Sequence, residues 1–321
     1  MNETSSSLCA ISAYLRLCAS SKVFLLVPGF CLNIFILASV VSCLLSRQRK
    51  IRSNVAMFIL GSTCCNLVNL SLWPMTILWR QHGRWLLGSQ LCEVMVSAKH
   101  MTSTASFLYV SFITFSVYLT MVCGRRHLVN SRVFLALQLL IPFLPVGVKE
   151  LIMWFLSAHV DHLDPVKLSC FSYINDRVMR VLLLVKTLVF LPLSLYFYAH
   201  ILHTIVQSAK VLHRSQRVNV RLAKVFSLIS VITFMAHTPG AVFALMERLS
   251  VCQEMVRDLL LDLPVLSSPV ILLCMNKELR SQCLMLLQRS TTSHYVRKKS
   301  HTKTDEQHNS LTTGETDTLH L

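Results

Sequence analysis

The chain has 321 residues, of which 53% are hydrophobic and only 14% charged, with a mean hydropathy of +0.55; soluble domains carry about 25% charged residues, so a soluble enzyme of this length is excluded. Eight Gly, nine Pro and twelve scattered Cys exclude collagenous, disordered and disulfide-knot chains as well. The net charge of +16 invites a nucleic-acid partner, but Lys and Arg fall in bands between alternate apolar runs, as cytoplasmic loops of a membrane protein require, and no nucleic-acid binding is expected.

Residues 1–21 are polar, with Ser5, Ser6 and Ser7, and are read as an extracellular arm without the leading charge and early apolar core of a cleavable signal peptide. Lys22 then precedes the first apolar run, residues 23–45. Further runs follow at 55–79, 94–122, 133–157, 178–205, 222–246 and 259–275. A helix of about 20 residues rises 1.5 Å per residue and so crosses a hydrocarbon layer of about 30 Å. The predicted fold is therefore an all-α membrane protein: a seven-transmembrane helix bundle over 22–276, a short amphipathic eighth helix over 277–288, and a polar, disordered cytoplasmic tail over 289–321.

Orientation follows from the short flanks. Arg47, Arg49, Lys50 and Arg52 follow the first run, Arg125, Arg126 and Arg132 the third, and Lys210, Arg214, Arg217, Arg221 and Lys224 link the fifth to the sixth. Asp161, Asp164, Asp176, Glu247, Glu254 and Asp258 lie in the other set of loops. Basic loops stay inside, so the expected topology is a multi-pass membrane protein with an extracellular N-terminus and a tail carrying Arg297, Lys298 and Lys299 inside. Asn2-Glu3-Thr4 is then an extracellular glycosylation sequon; Asn69-Leu70-Ser71 falls within a span and should stay unmodified. No nucleophile elbow, HExxH, P-loop or GxGxxG is present, so neither enzyme, cofactor nor metal site is expected.

Before the third run stands Trp85-Leu86-Leu87-Gly88, then Cys92, with Cys170 in the outer loop after the fourth. This pattern resembles the rhodopsin-like (class A) G protein-coupled receptors, over about residues 22–290. Gly29 and Asn33 stand where that family has its span-one Asn, and Asn54 opens span two. Pro74, Pro192 and Pro239 are similar to its kinks in spans two, five and six. Pro269 looks like the proline of Asn-Pro-x-x-Tyr, and Asn276-Lys277-Glu278-Leu279-Arg280 looks like the start of its eighth helix. The resemblance implies a disulfide between Cys92 and Cys170, an extracellular ligand, and heterotrimeric G protein, arrestin and receptor kinases as partners. A second bridge from Cys252 to Cys9 or Cys18 is a further expectation.

The departures from the pattern fall on its switch residues. Ser116-Val117-Tyr118 occupies the place of Asp-Arg-Tyr, which removes a charged latch. Cys64 is read at the sodium-binding Asp, with Asn66 the nearest polar substitute. Ala236-His237-Thr238-Pro239 replaces Cys-Trp-x-Pro, Ser268-Pro269-Val270-Ile271-Leu272 lacks both Asn and Tyr, and His200 replaces a Tyr.

Ionisable residues within spans usually face the bundle and mark function. Lys99 lies seven residues past Cys92, about 10 Å along the helix, where aminergic relatives carry an amine-binding Asp. With Arg180 and Lys186 it suggests an anionic ligand, a carboxylate or phosphate held by charge-assisted bonds; His100, beside it in the chain, joins the candidate set. The competing reading pairs Lys99 with Asp262 and leaves no charge for a ligand. Lys186 has a second reading as a snorkelling side chain, and His237 as a packing residue.

At the inner side, Arg280, Cys283 and Leu284 to Leu287 form an amphipathic stretch in which Cys283 is a palmitoylation candidate. Ser290-Thr291-Thr292-Ser293 and the run from Thr312 to Thr318 are candidate phosphorylation clusters for arrestin. The expected function is a cell-surface G protein-coupled receptor for an anionic small molecule or lipid. The alternatives are a chemosensory, odorant-like receptor, suggested by Met275 to Arg280, and a non-signalling scavenger or interaction protein, suggested by the missing switch residues.

Overall fold

A computed structural model of the chain describes residues 2–45, 53–82, 85–144, 147–148, 151, 176–208, 214–244, 251–277, 279–285 and 288, and no strand occurs among them. The helices are α1 (Asn2–Leu45), α2 (Ser53–His82), α3 (Ser89–Met121), α4 (Arg126–Val129), α5 (Arg132–Leu140), α6 (Asp176–Ser208), α7 (Arg214–Ala244), α8 (Val251–Met275) and α9 (Leu279–Met285), with a 3₁₀ turn over Ile141–Phe143.

Four stretches are long and apolar enough to cross a bilayer: Ala19–Leu45, Val55–Trp79, Gln90–Met121 and Leu188–Gln207. α8 and α9, joined at 89°, supply a fifth if taken together, while Arg132–Phe143 and Ala223–Pro239 are shorter. The protein is thus a membrane-embedded helical protein, with four to five candidate spans among the described residues where seven are predicted for the whole chain. The fourth apolar run extends past Leu151 into residues outside the described set, and the sixth starts among Arg217, Arg221 and Lys224, which shortens its apolar part.

α1 runs unbroken from Asn2, so the stretch read as a separate arm continues the helix of the first span. The reason is local: neither Gly nor Pro occurs before Pro28, and even that proline is tolerated inside a membrane helix. Lys22 therefore lies within the helix rather than at its solvent end.

α1 packs on α2 and α8, α8 on α7, α7 on α6, and α3 touches α2, α6, α7 and the 3₁₀ turn. The main core joins Ile36, Phe58, Tyr109, Ile113, Phe226 and Leu272 from α1, α2, α3, α7 and α8. Phe58 meets Tyr109 and Phe226 edge to face, with centroids 6.3 and 5.0 Å apart. Gly61 makes room for this packing, since a Cβ there would come within 2.6 Å of the Tyr109 ring. The Tyr109 hydroxyl donates to the Leu139 carbonyl at 3.0 Å, tying α3 to α5. Phe24, Leu188, Val206 and Met235 are exposed large apolar residues, as helices facing acyl chains present.

Candidate functional site: a polar seam through three helices

Lys22 projects from α1 into the bundle, and its Nζ lies 2.5 Å from Oδ2 of Asp262 on α8, with the two side chains 2% and 6% exposed. The ammonium also stands 5.2 Å from the centroid of the Trp73 ring on α2. A lone charge at this depth is costly; a partner carboxylate and an aromatic face offset that cost. One ion pair thus gathers α1, α2 and α8.

Eleven residues further along α1, about 16 Å by helical rise, a second polar tie joins the same helices. Asn33 Nδ2 donates to the Gly29 carbonyl at 2.9 Å and, over a long 3.5 Å, to the Val265 carbonyl; Asn66 Nδ2 donates to Asn33 Oδ1 at 3.3 Å. Val265 needs a donor because Pro269, four residues on, has no N–H for it. Asn66, not Cys64, therefore occupies the inward position of span two; Cys64 is exposed.

The turn ahead of α3 is built by Trp85 and Gly88. The indole N–H donates to the Gly88 carbonyl at 2.6 Å, and Gly88 adopts φ 80°, which favours glycine. Cys92, buried beside Met95, Leu72, Met75 and Trp85, is disulfide-bonded. Cys170 lies outside the described residues.

Lys99 is buried on α3, and Thr102 Oγ1 donates to its carbonyl at 3.1 Å. His100 is half-buried. The carboxylate that sequence reasoning set against Lys99 lies against the Lys22 ammonium of α1. Arg180 and Lys186 belong to α6, Asn2 to α1, and the side chains of all three lie outside the described residues. His237 is buried and meets Phe107 edge to face at 5.1 Å, with Phe234 on the same ring at 5.3 Å. It sits in an aromatic stack, and Thr238 beside Pro239 donates to the Phe234 carbonyl at 2.7 Å.

Below the stack the ties are neutral. Ser194 donates to Ser111 at 3.3 Å and Thr114 shares a hydrogen bond with Ser230 at 3.1 Å, linking α3 to α6 and α7. Ser116 is wholly buried and donates to the Phe112 carbonyl of its own helix. Val117 packs on the main core. Tyr118 meets Phe197 at 4.9 Å and His200 at 6.0 Å, and Tyr196 meets His200 at 4.5 Å. An aromatic clasp between α3 and α6 thus stands where the resembling family has its arginine latch. On α8, Ser268 and Pro269 are buried and Leu272 joins the core.

At the bend into α9, Asn276 Oδ1 accepts from the Leu279 N–H at 3.2 Å, its carbonyl accepts from the Arg280 N–H at 3.0 Å, and Arg280 Nη1 donates to the Cys274 carbonyl at 3.2 Å. Asn276 is the N-cap that starts the new helix. Cys283 is buried, with Sγ 3.0 Å from Ser39 Oγ of α1. It faces the bundle, and acylation there requires α9 to turn over. No group of three or more candidate metal ligands occurs among the described residues.

Sequence reasoning missed the role of Lys22, which it read as a flanking charge. The available signal was its setting, with no helix breaker on its N-terminal side and Asp262 as an intramembrane acid later in the chain. No protein-family model matches this chain, and no curated protein sequence matches it significantly.

Proposed function

We propose that this is a rhodopsin-like cell-surface receptor, its N-terminus extracellular, that binds an anionic small molecule or lipid and signals to heterotrimeric G proteins, arrestin or both. The observation that carries the reading is the setting of α3. It starts at a Trp85–Gly88 turn and a disulfide-bonded Cys92, and it packs at once against α2, α6 and α7. A helix so placed feels a ligand at its outer end and passes the change to its neighbours.

In this reading Cys92 pairs with Cys170 across the outer face. Lys99, buried seven residues past Cys92 on α3, meets the ligand anion with charge-assisted hydrogen bonds. Below Lys99 the Phe107, Phe234 and His237 rings repack, and the Ser111–Ser194 and Thr114–Ser230 bonds carry the shift to α6 and α7. The ligand biases a two-state bundle by its differential affinity for the two packings.

A second reading, a non-signalling scavenger or interaction protein, is favoured by the clasp of Tyr118, Phe197 and His200 in place of an arginine. An unbiased screen of carboxylates, phosphates and lipids, read for both G-protein and arrestin responses, separates the two. An anionic agonist that loses its response in Lys99→Ala supports the receptor reading; an agonist equally potent on a Lys99→Ala receptor at equal surface level rules out the anion anchor. Ligand uptake with neither response supports the scavenger.

A further inference from the structure

The turn between α3 and α5 is held by its own backbone. Gly124 adopts φ 67°, the left-handed region that suits glycine. The Cys123 N–H donates to the Tyr118 carbonyl at 3.3 Å, the Arg125 N–H to the Leu119 carbonyl at 2.9 Å and the Arg126 N–H to the Gly124 carbonyl at 2.9 Å. Val129 is buried and anchors α4 to the bundle, and the Ser131 hydroxyl accepts from the Phe134 N–H at 3.2 Å to start α5. Arg125, Arg126, His127 and Arg132 all project from this frame and are exposed, with no acidic residue among residues 123–133.

The same segment carries an outward apolar stripe. Val133, Leu137, Leu140 and Leu144 are exposed, and their spacings of four, three and four residues put them on one helical face. In a membrane-embedded protein such a stripe faces acyl chains, so the guanidinium groups at its end stand at the depth of the headgroups.

We propose that this turn is a binding site for the polyphosphorylated headgroup of an inositol lipid. Arginine offers a planar fork that takes two phosphate oxygens at once, whereas a diffuse basic loop serves any anionic surface alike. Three arginines on a hydrogen-bonded turn, beside a lipid-facing stripe, match several phosphates on one ring better than the single phosphate of phosphatidylserine. The site rests on the membrane-embedded fold and on the basic face lying inside, but not on signalling.

The test uses the full-length purified protein in nanodiscs of phosphatidylcholine containing either a phosphatidylinositol bisphosphate or phosphatidylserine at matched total charge, with bound lipid read by native mass spectrometry. Wild type should retain the bisphosphate in preference to phosphatidylserine. Arg126→Gln should lower that retention about fivefold, the effect of one basic residue at an anionic leaflet, and Arg125→Gln/Arg126→Gln/Arg132→Gln should abolish the preference. Arg297→Gln/Lys298→Gln/Lys299→Gln in the tail should leave it intact. Equal retention of both lipids by wild type, or an undiminished preference in both the single and the triple turn variant, overturns the proposal. Nanodiscs expose both leaflets, so failure here does not depend on the side the turn occupies, and failure of the receptor reading would show instead in ligand responses and in topology.

Discussion

Lys22 and Asp262 form a buried ion pair 2.5 Å long between the first and last long helices of the described structure, capped by the ring of Trp73. The pair closes α1 onto α8. Its strength lies in completeness, since taking away one partner strands a charge in a low dielectric.

Lys22→Met and Asp262→Leu, made singly, should each destabilise the purified protein by about 3–5 kcal/mol, and the double variant should recover much of the loss. Thermal unfolding in detergent measures it. Additive losses in the double variant would show that the two charges do not act as a pair.

Gly61→Ala should cost about 1–3 kcal/mol, because the added methyl meets the Tyr109 ring at 2.6 Å in a packed core. Tyr109→Leu, costly on its own, should cost less in the Gly61→Ala background. A double-mutant cycle with no coupling would contradict the contact.

Asn276→Ala should loosen the start of α9 by about 0.5–2 kcal/mol, the loss of one N-cap, while Asn276→Asp should keep the helix. Hydrogen exchange over Leu279–Met285 reports it: faster exchange in the alanine variant and near-native exchange in the aspartate variant. Unchanged protection in both would mean that α9 is held by packing alone.

Local chemistry was legible in the sequence where it rests on neighbours in the chain. The Trp85–Gly88 turn and the break at Asn276 follow from residues three apart, and the apolar runs follow from length and composition. Helical phase was not legible, because a helix apolar on all sides carries no moment to orient it. Cys64 and Asn66 are two residues apart, about 200° around a helix, and only the bond to Asn33 tells which faces inward. The Lys22–Asp262 pair spans most of the chain, so its partners had to be brought together before either could be assigned. The expected ligand contacts of Arg180 and Lys186 and the outer loop past residue 151 lie outside the described side chains.

The receptor reading requires an odd number of membrane crossings with the two ends in different compartments. Epitope tags at residue 1 and residue 321, stained on intact and on permeabilised cells, test this most directly. The account predicts that the N-terminal tag stains on intact cells and the C-terminal tag only after permeabilisation. Both tags staining on intact cells, or neither doing so while both stain after permeabilisation, would contradict it.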